Sequence, residues 1–274
     1  MYEAFFGLRE KPFSIQPDPD YLYMGKRHRL AYAMLECGLQ NRAGFTVICG
    51  EIGCGKTTLV RHLLNSVGDD VTVGLVYNTH QETADLLEWV MLSFGQPYKG
   101  MSSIERYDAF QQFLVAEYSA SRRVVLIVDE AQNLSASALE SLRMLSNINA
   151  DKDQLLQMVL VGQPQLRELL NRPELRQFAQ RVAVDYFVPP LDALDVALYV
   201  QHRLRVAGCK DELFSAKALM RICDATRGVP RSINILCDTS LLYAFASEAR
   251  MVDLSTVDEV LADRREYGVL AREA

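Results

Sequence analysis

A chain of 274 residues, 49% hydrophobic and 23% charged, has the composition of an ordinary globular protein and can bury a substantial core, in one large domain or two modest ones. Its net charge of −6 argues against a broad nucleic-acid-binding surface, although a local basic strip fits within that balance. No apolar stretch approaches the ~18–20 residues a bilayer span needs, and the opening residues lack the basic-then-apolar order of a secretion signal, so a cytoplasmic protein is expected.

Residues 1–25 hold Phe5, Phe6, Pro12, Phe13, Pro17, Pro19, Tyr21 and Tyr23. This is poor helix-forming material, expected to lie extended as an arm against the core, either as plain packing or as a cover for an adenine ring. Residues 26–43 read as a helix with Leu30, Met34, Leu35 and Leu39 on one side. The basic run Lys26-Arg27-His28-Arg29 reads as a solvated start to that helix.

Phe45-Thr46-Val47-Ile48-Cys49 is a short apolar run suited to a buried parallel strand. It leads into Gly50-Glu51-Ile52-Gly53-Cys54-Gly55-Lys56-Thr57-Thr58, where Gly50, Gly55, Lys56 and Thr57 carry the spacing of a phosphate-binding loop. Glycines let the backbone curl so that successive N–H groups face phosphate oxygens, and the lysine adds charge. Leu59-Val60-Arg61-His62-Leu63-Leu64 continues as a helix whose N-terminal dipole favours an anion. The pattern implies a bound nucleoside triphosphate.

A second strand is expected over 71–77, ending at Asn78, with helices over 82–94 and 104–120. Val124-Val125-Leu126-Ile127-Val128 is an unbroken apolar strand closed by Asp129-Glu130. Ligands collect at the carboxyl ends of such strands. Asp129 with the Thr57 hydroxyl suits a Mg²⁺ shell, and Glu130 suits a base that orients and deprotonates water. Ser137 with Glu140 resembles a capping box opening a helix with Leu139, Leu142, Met144 and Leu145 on its apolar face. A fourth strand over 155–161 ends at Gly162-Gln163-Pro164, a helix spans roughly 165–180, and a fifth strand covers 182–188. Strands alternating with helices indicate a parallel sheet covered on both faces. Beyond Pro190 the strand signal stops, and helices over 192–207, 215–227, 231–248 and 255–265 form a small second domain.

Cys37, Cys49, Cys54, Cys209, Cys223 and Cys237 show no Cys-x-x-Cys spacing and read as reduced thiols. Cys54 is either a small spacer in the loop or a thiol activated by the helix N-terminus. The four histidines are scattered, so no metal other than the nucleotide's Mg²⁺ is expected.

The chain resembles the AAA+ ATPases of the general secretion pathway protein A (ExeA-type) group, especially those found with exosortase (PEP-CTERM) and exopolysaccharide systems. The residues carrying this are Phe5-Phe6-Gly7-Leu8-Arg9-Glu10-Lys11-Pro12-Phe13 with Pro17-Asp18-Pro19, the stretch 44–58, Leu126-Ile127-Val128-Asp129-Glu130-Ala131-Gln132, and Leu160-Val161-Gly162-Gln163-Pro164. Residues 175–181 and Gly228-Val229-Pro230-Arg231-Ser232-Ile233-Asn234 extend it. The resemblance implies an α/β P-loop AAA+ core at 26–190, with five parallel strands in the order 5-1-4-3-2. It also implies an arm at 1–25 packing near the nucleotide and an α-helical lid at 191–274.

It further implies ATP and Mg²⁺ as ligands, with residues 50–58 and Arg231 around the nucleotide. Gln163 would be the sensor 1 residue, Arg231 the sensor 2 residue, and Asn78 would hold Glu130 inactive until a partner engages. Arg181, with Arg176 as second choice, would be an arginine finger acting in trans in a homo-oligomer. Longer members of the group carry a membrane-spanning and a peptidoglycan-binding region after the ATPase part. Here an envelope role is expected to run through a separate membrane-protein partner, with the protein cytoplasmic or peripheral at the inner membrane. Two rival readings share the core: a DNA-associated regulator of the transposition type, and an ATP-gated scaffold with little turnover.

Overall fold

The structure is a computed structural model and describes residues 1–16, 18–77, 86–150 and 153–268. It divides into two compact units: Met1–His28 with Ile52–Thr58 and Pro189–Ala274, and Arg29–Glu51 with Leu59–Val188.

The second unit is built on a sheet of five parallel strands. These are β1 (Phe45–Gly50), β2 (Val71–Val76), β3 (Arg123–Val128), β6 (Leu156–Gly162) and β7 (Val182–Val188). Between β3 and β6 lies a hairpin of two short strands, β4 (Asn149–Ala150) and β5 (Asp153–Gln154), which the sequence did not suggest. The large sheet runs β2-β3-β6-β1-β7. With the hairpin strands set aside and the sheet read from its other edge, this is the expected order 5-1-4-3-2. The middle strands β1 and β6 are buried along their whole length, as continuous apolar runs must be when helices cover both faces. The edge strand β7 instead alternates between exposed and half-buried positions over most of its length.

Helices of this unit are α1 (Lys26–Gln40) and α2 (Lys56–Ser66), both of which begin in the first unit, with α3 (Leu86–Ser93), α4 (Ser103–Ser119), α5 (Ala136–Leu145), α6 (Pro164–Leu170) and α7 (Arg176–Ala179). Three expectations need correction. The single helix over 165–180 is two helices, because Pro173 lacks the N–H that would continue α6 and starts a separate turn instead. The cap of α5 is Ser135, not Ser137: Ser135 Oγ accepts from the Ala138 N–H at 3.1 Å, while Ser137 sits inside the helix and Glu140 pairs with Arg143. The buried face of α1 is Ala31, Leu35 and Gly38, whereas Leu30 is exposed, as is Met144 on α5. Of the expected helix over 82–94, residues 82–85 lie outside the described residues.

The first unit packs α8 (Ala193–Val206), α9 (Ala216–Thr226), α10 (Pro230–Ala246) and α11 (Leu254–Glu266) around Val196, Val200, Ile222, Ile233 and Leu241. Asp192, Ser215 and Asp253 cap α8, α9 and α11 with side-chain oxygens. The N-terminal arm belongs to this unit: Tyr2, Phe6, Leu8, Phe13 and Tyr21 join its apolar core. Arg203, buried on α8, fastens the arm by donating to the carbonyl oxygens of Pro12 (2.5 Å) and Ser14 (3.2 Å). Its guanidinium also lies over the Tyr21 ring, 4.7 Å from the centroid. Among the described residues no helix is long and apolar enough to cross a membrane.

Candidate functional site

The phosphate loop leaves the sheet at the carboxyl end of β1. Gly53 and Gly55 sit at φ +82 and +86, a left-handed backbone that glycine adopts without a Cβ penalty. Gly53 has a second reason to be glycine, since a Cβ there would lie 2.6 Å from Cβ of Arg231 and 3.3 Å from Cγ1 of Val229. Helix α2 opens at Lys56, so the first-turn N–H groups at Lys56, Thr57 and Thr58 have no intrahelical acceptor and form the positive end of its dipole. Lys56 is buried, Cys54 is fully enclosed, and Ile52 is exposed.

Two neighbouring loop carbonyls are held by protein donors. The Gly53 oxygen accepts from the Arg231 backbone N–H at 3.2 Å. Helix α10 begins with Pro230 and has no side-chain cap, so a loop carbonyl serves in place of one. The Cys54 oxygen lies 3.0 Å from Nε2 of His28. A carbonyl can only accept, so Nε2 carries a proton, while Nδ1 is buried with no hydrogen-bond partner among the described residues. In a trans peptide the C=O and the following N–H point opposite ways. Anchoring the carbonyls of Gly53 and Cys54 therefore turns the N–H groups of Cys54 and Gly55 away from Arg231 and His28. The loop thus has what a phosphate needs: left-handed glycines, oriented amides, a helix N-terminus and a lysine.

In the other unit, Asp129 and Glu130 follow β3. Asp129 is buried, its N–H donates to the Val76 carbonyl at 3.0 Å, and its Oδ1 accepts the Glu130 N–H at 2.9 Å. Glu130 is left-handed, φ 53 and ψ 36, a conformation that costs a non-glycine residue roughly 1–2 kcal/mol and often marks a working side chain. Its Oε2 accepts from Nε2 of Gln132 at 2.6 Å and from Nε2 of Gln163 at 3.0 Å. Gln163 sits at the carboxyl end of β6, the strand between β1 and β3, and precedes Pro164 of α6.

The structure thus brings Glu130 together with Gln163, and Arg231 together with Gly53. Arg181 is placed elsewhere, donating to Ser146 Oγ at 2.8 Å just before the amino end of β7. At about 3.3 Å per residue the length of β7 is about 20 Å, so Arg181 lies at the sheet edge opposite Glu130 and Gln163. Arg176 is exposed on α7, and Asn78 lies outside the described residues. Among the described residues no group of three His, Cys, Asp or Glu side chains could hold a metal ion.

Two neighbours of these groups escaped the sequence reading. His28 is buried beneath the loop rather than solvated like Lys26, Arg27 and Arg29. Its spacing with Ala31, Leu35 and Gly38 along one helix face was the available signal. Gln132 lies inside a motif already noted, yet nothing local tells which way its amide points.

A parallel sheet with a phosphate loop after β1 and an acidic pair after β3 defines a P-loop protein. A family model described as an AAA domain matches residues 39–170. General secretion pathway protein A of Aeromonas hydrophila is 44% identical over 247 residues, covering 90% of this chain and 45% of that protein, so the chain spans about half the length of this curated relative. The ORC2 protein of Aeropyrum pernix, solved as ADPNP–ADP complexes, shares the fold with a TM-score of 0.65 and 17% identity, over 96% of this chain and 75% of that one. Cdc6p of Pyrobaculum aerophilum gives a TM-score of 0.64 at 20% identity, over 86% and 68% respectively. The chain thus carries an AAA domain and is similar, over nine tenths of its own length, to general secretion pathway protein A, which supports an AAA+ ATPase.

Proposed function

We propose that this protein is a Mg²⁺-dependent ATP hydrolase that powers or regulates assembly of an envelope secretion or exopolysaccharide export system. The observation that carries the hydrolytic part is the Glu130 carboxylate, set in a left-handed turn at the end of a buried strand and held by an amide from the neighbouring strand tip. A carboxylate placed so, past the carboxyl end of β3, suits the base of a water-attack reaction.

In this reading the amides of residues 50–58 and Lys56 bind the β- and γ-phosphates. Thr57 and Asp129 would hold Mg²⁺, which supplies charge neutralisation on those phosphates when bound. A Glu130 carboxylate oxygen takes the proton of the attacking water, and Gln163 aligns that water. Arg231, whose backbone already meets the loop, reports nucleotide state to the helices after Pro189. Arg181, or Arg176, acts on the nucleotide of a second copy, a role supported by its distance from Glu130 along the sheet. Asn78 restrains Glu130 before a partner engages. By function the chain divides into an arm at 1–25, an ATPase core at 26–190 and a lid from 191. The place of work is the cytoplasm or, through a membrane-protein partner, the inner membrane.

Steady-state phosphate release, measured beside binding of a fluorescent ATP analogue, tests the proposal. Wild type turns over; Glu130→Gln keeps nucleotide bound and loses turnover by ~10²–10⁴-fold; Lys56→Ala loses binding. Equal turnover in all three overturns it. Binding without turnover in wild type would favour the ATP-gated scaffold. The fold is shared with an origin recognition complex solved on DNA. A salt-sensitive mobility shift of duplex DNA with ATP would therefore favour the DNA-associated reading.

A further inference from the structure

We infer that Gln132 is a positioning residue: its side-chain amide ties the Glu130 carboxylate to the tip of β6, so that Glu130 and Gln163 are set as one unit. This rests on the hydrolytic reading above.

The argument starts from which end of the amide is which. The Gln163 backbone N–H donates to one end of the Gln132 amide at 3.0 Å. An N–H can only donate, so that end is the oxygen. The other end is then the NH₂ group, which donates to Glu130 Oε2 at 2.6 Å. The orientation is dictated by its partners, because the flipped amide would set N–H against N–H and oxygen against carboxylate.

The ring closes through Gln163, whose own Nε2 donates to the same Glu130 oxygen at 3.0 Å. Two residues on different elements thus serve one carboxylate oxygen, and each also touches the other. Gly162 leaves room for the arrangement, since a Cβ there would sit 3.0 Å from the Gln132 Oε1 and 2.8 Å from Leu166 Cδ2. Glu130 itself is left-handed, and the Gln132 amide meets its carboxylate from two residues further along the chain.

The consequence is directional. Gln163 alone could hold Glu130 only through a flexible side chain at the end of a strand. With Gln132 in place, the backbone of the strand tip is coupled to the base as well, so a shift of β6 is transmitted to the carboxylate. A misplacement near 1 Å is enough to cost ~10²-fold in rate.

Two variants separate the halves of the bridge. Gln132→Glu keeps an acceptor for the Gln163 N–H but offers no amide N–H to Glu130 and sets a second carboxylate against it. Gln132→Ala removes both bonds. Three quantities are read in each: kcat for phosphate release, Kd for a fluorescent ATP analogue, and hydrogen exchange of the Gln163 backbone amide. We expect both variants to lose kcat by at least about tenfold with Kd within about twofold of wild type. The Gln163 amide should exchange faster in Gln132→Ala only. Unchanged kcat in Gln132→Glu, or a kcat that rises because the bridge restrains Glu130, overturns the inference while leaving the hydrolytic reading intact. Gln163 exchange unchanged in Gln132→Ala overturns it without reference to activity. Absence of phosphate release from wild type would instead count against the hydrolytic reading, and the exchange measurement would still decide whether the bridge exists.

Discussion

Replacing Gly53 by alanine asks two things of the phosphate loop that can be separated by a control. The first is backbone strain, roughly 1–2 kcal/mol for an L-residue held in the left-handed region, since Gly53 is at φ +82. The second is a collision: the new methyl would sit 2.6 Å from Arg231 Cβ, about 1 Å inside the usual contact distance. A Cβ moves only with its backbone, so α10 must shift at its first turn, stretching the 3.2 Å bond from the Arg231 N–H to the Gly53 oxygen. Overpacking of this kind costs about 1–3 kcal/mol.

Gly7 provides the control in the same unit, with φ +68 and nothing within 4 Å of the place an alanine methyl would take. Gly7→Ala should therefore cost only the strain, about 1–2 kcal/mol, and Gly53→Ala about 2–5 kcal/mol in all. At about 2–4 °C per kcal/mol for a domain of this size, thermal unfolding should fall by about 2–8 °C for Gly7→Ala and about 4–20 °C for Gly53→Ala, the second always larger than the first. ATP-analogue affinity should drop at least about tenfold for Gly53→Ala and stay unchanged for Gly7→Ala. If Gly53→Ala melts no lower than Gly7→Ala and binds as wild type, the contact with Arg231 does not constrain the loop.

Arg203→Ala should free the arm by removing the donors to Pro12 and Ser14, at a cost of about 3 kcal/mol in urea unfolding, with chymotrypsin cutting newly at the buried Phe13. Arg203→Lys should rescue little, because one ammonium cannot reach those carbonyls and Tyr199 in the same fork. Glu117, at the end of α4, is held below the usual carboxylate range by its hydrogen bonds from Arg122, with a further contribution from Thr72 on β2. A depressed folded-state value stabilises above the unfolded pKa and is lost as pH falls through the folded one. Wild type should therefore lose about 1 kcal/mol more than Glu117→Gln between about pH 6 and about pH 3, a modest amount because Arg122 is partly exposed. Equal losses by chemical denaturation would remove the Arg122 pair from the acid stability of the fold.

Much of this architecture was legible because its signals are local. The runs at 45–49 and 124–128 could only be satisfied by burial on both faces, and the spacing of Gly50, Gly55, Lys56 and Thr57 fixed where the loop begins and the next helix starts. The order of the strands came from resemblance rather than from any periodicity. Local signals were misweighed at two places. Pro173 was present to break the helix over 165–180, and Ser135, as good a capping residue type as Ser137, stood two positions earlier. What could not be read was non-local. His28 meets Cys54 across 26 positions of chain and Gln132 meets Gln163 across 31, and neither pairing leaves a trace in spacing or composition.

The enclosure of Cys54 has a practical side. Cys49, Cys54, Cys209 and Cys237 are all buried, Cys223 is half-buried, and Cys37 stands exposed on α1. A maleimide dye added under native conditions should attach at Cys37 first and leave the thiol in the nucleotide loop untouched. The native chain therefore offers its own surface handle for fluorescence work, with no need to strip out the cysteine that the loop is folded around.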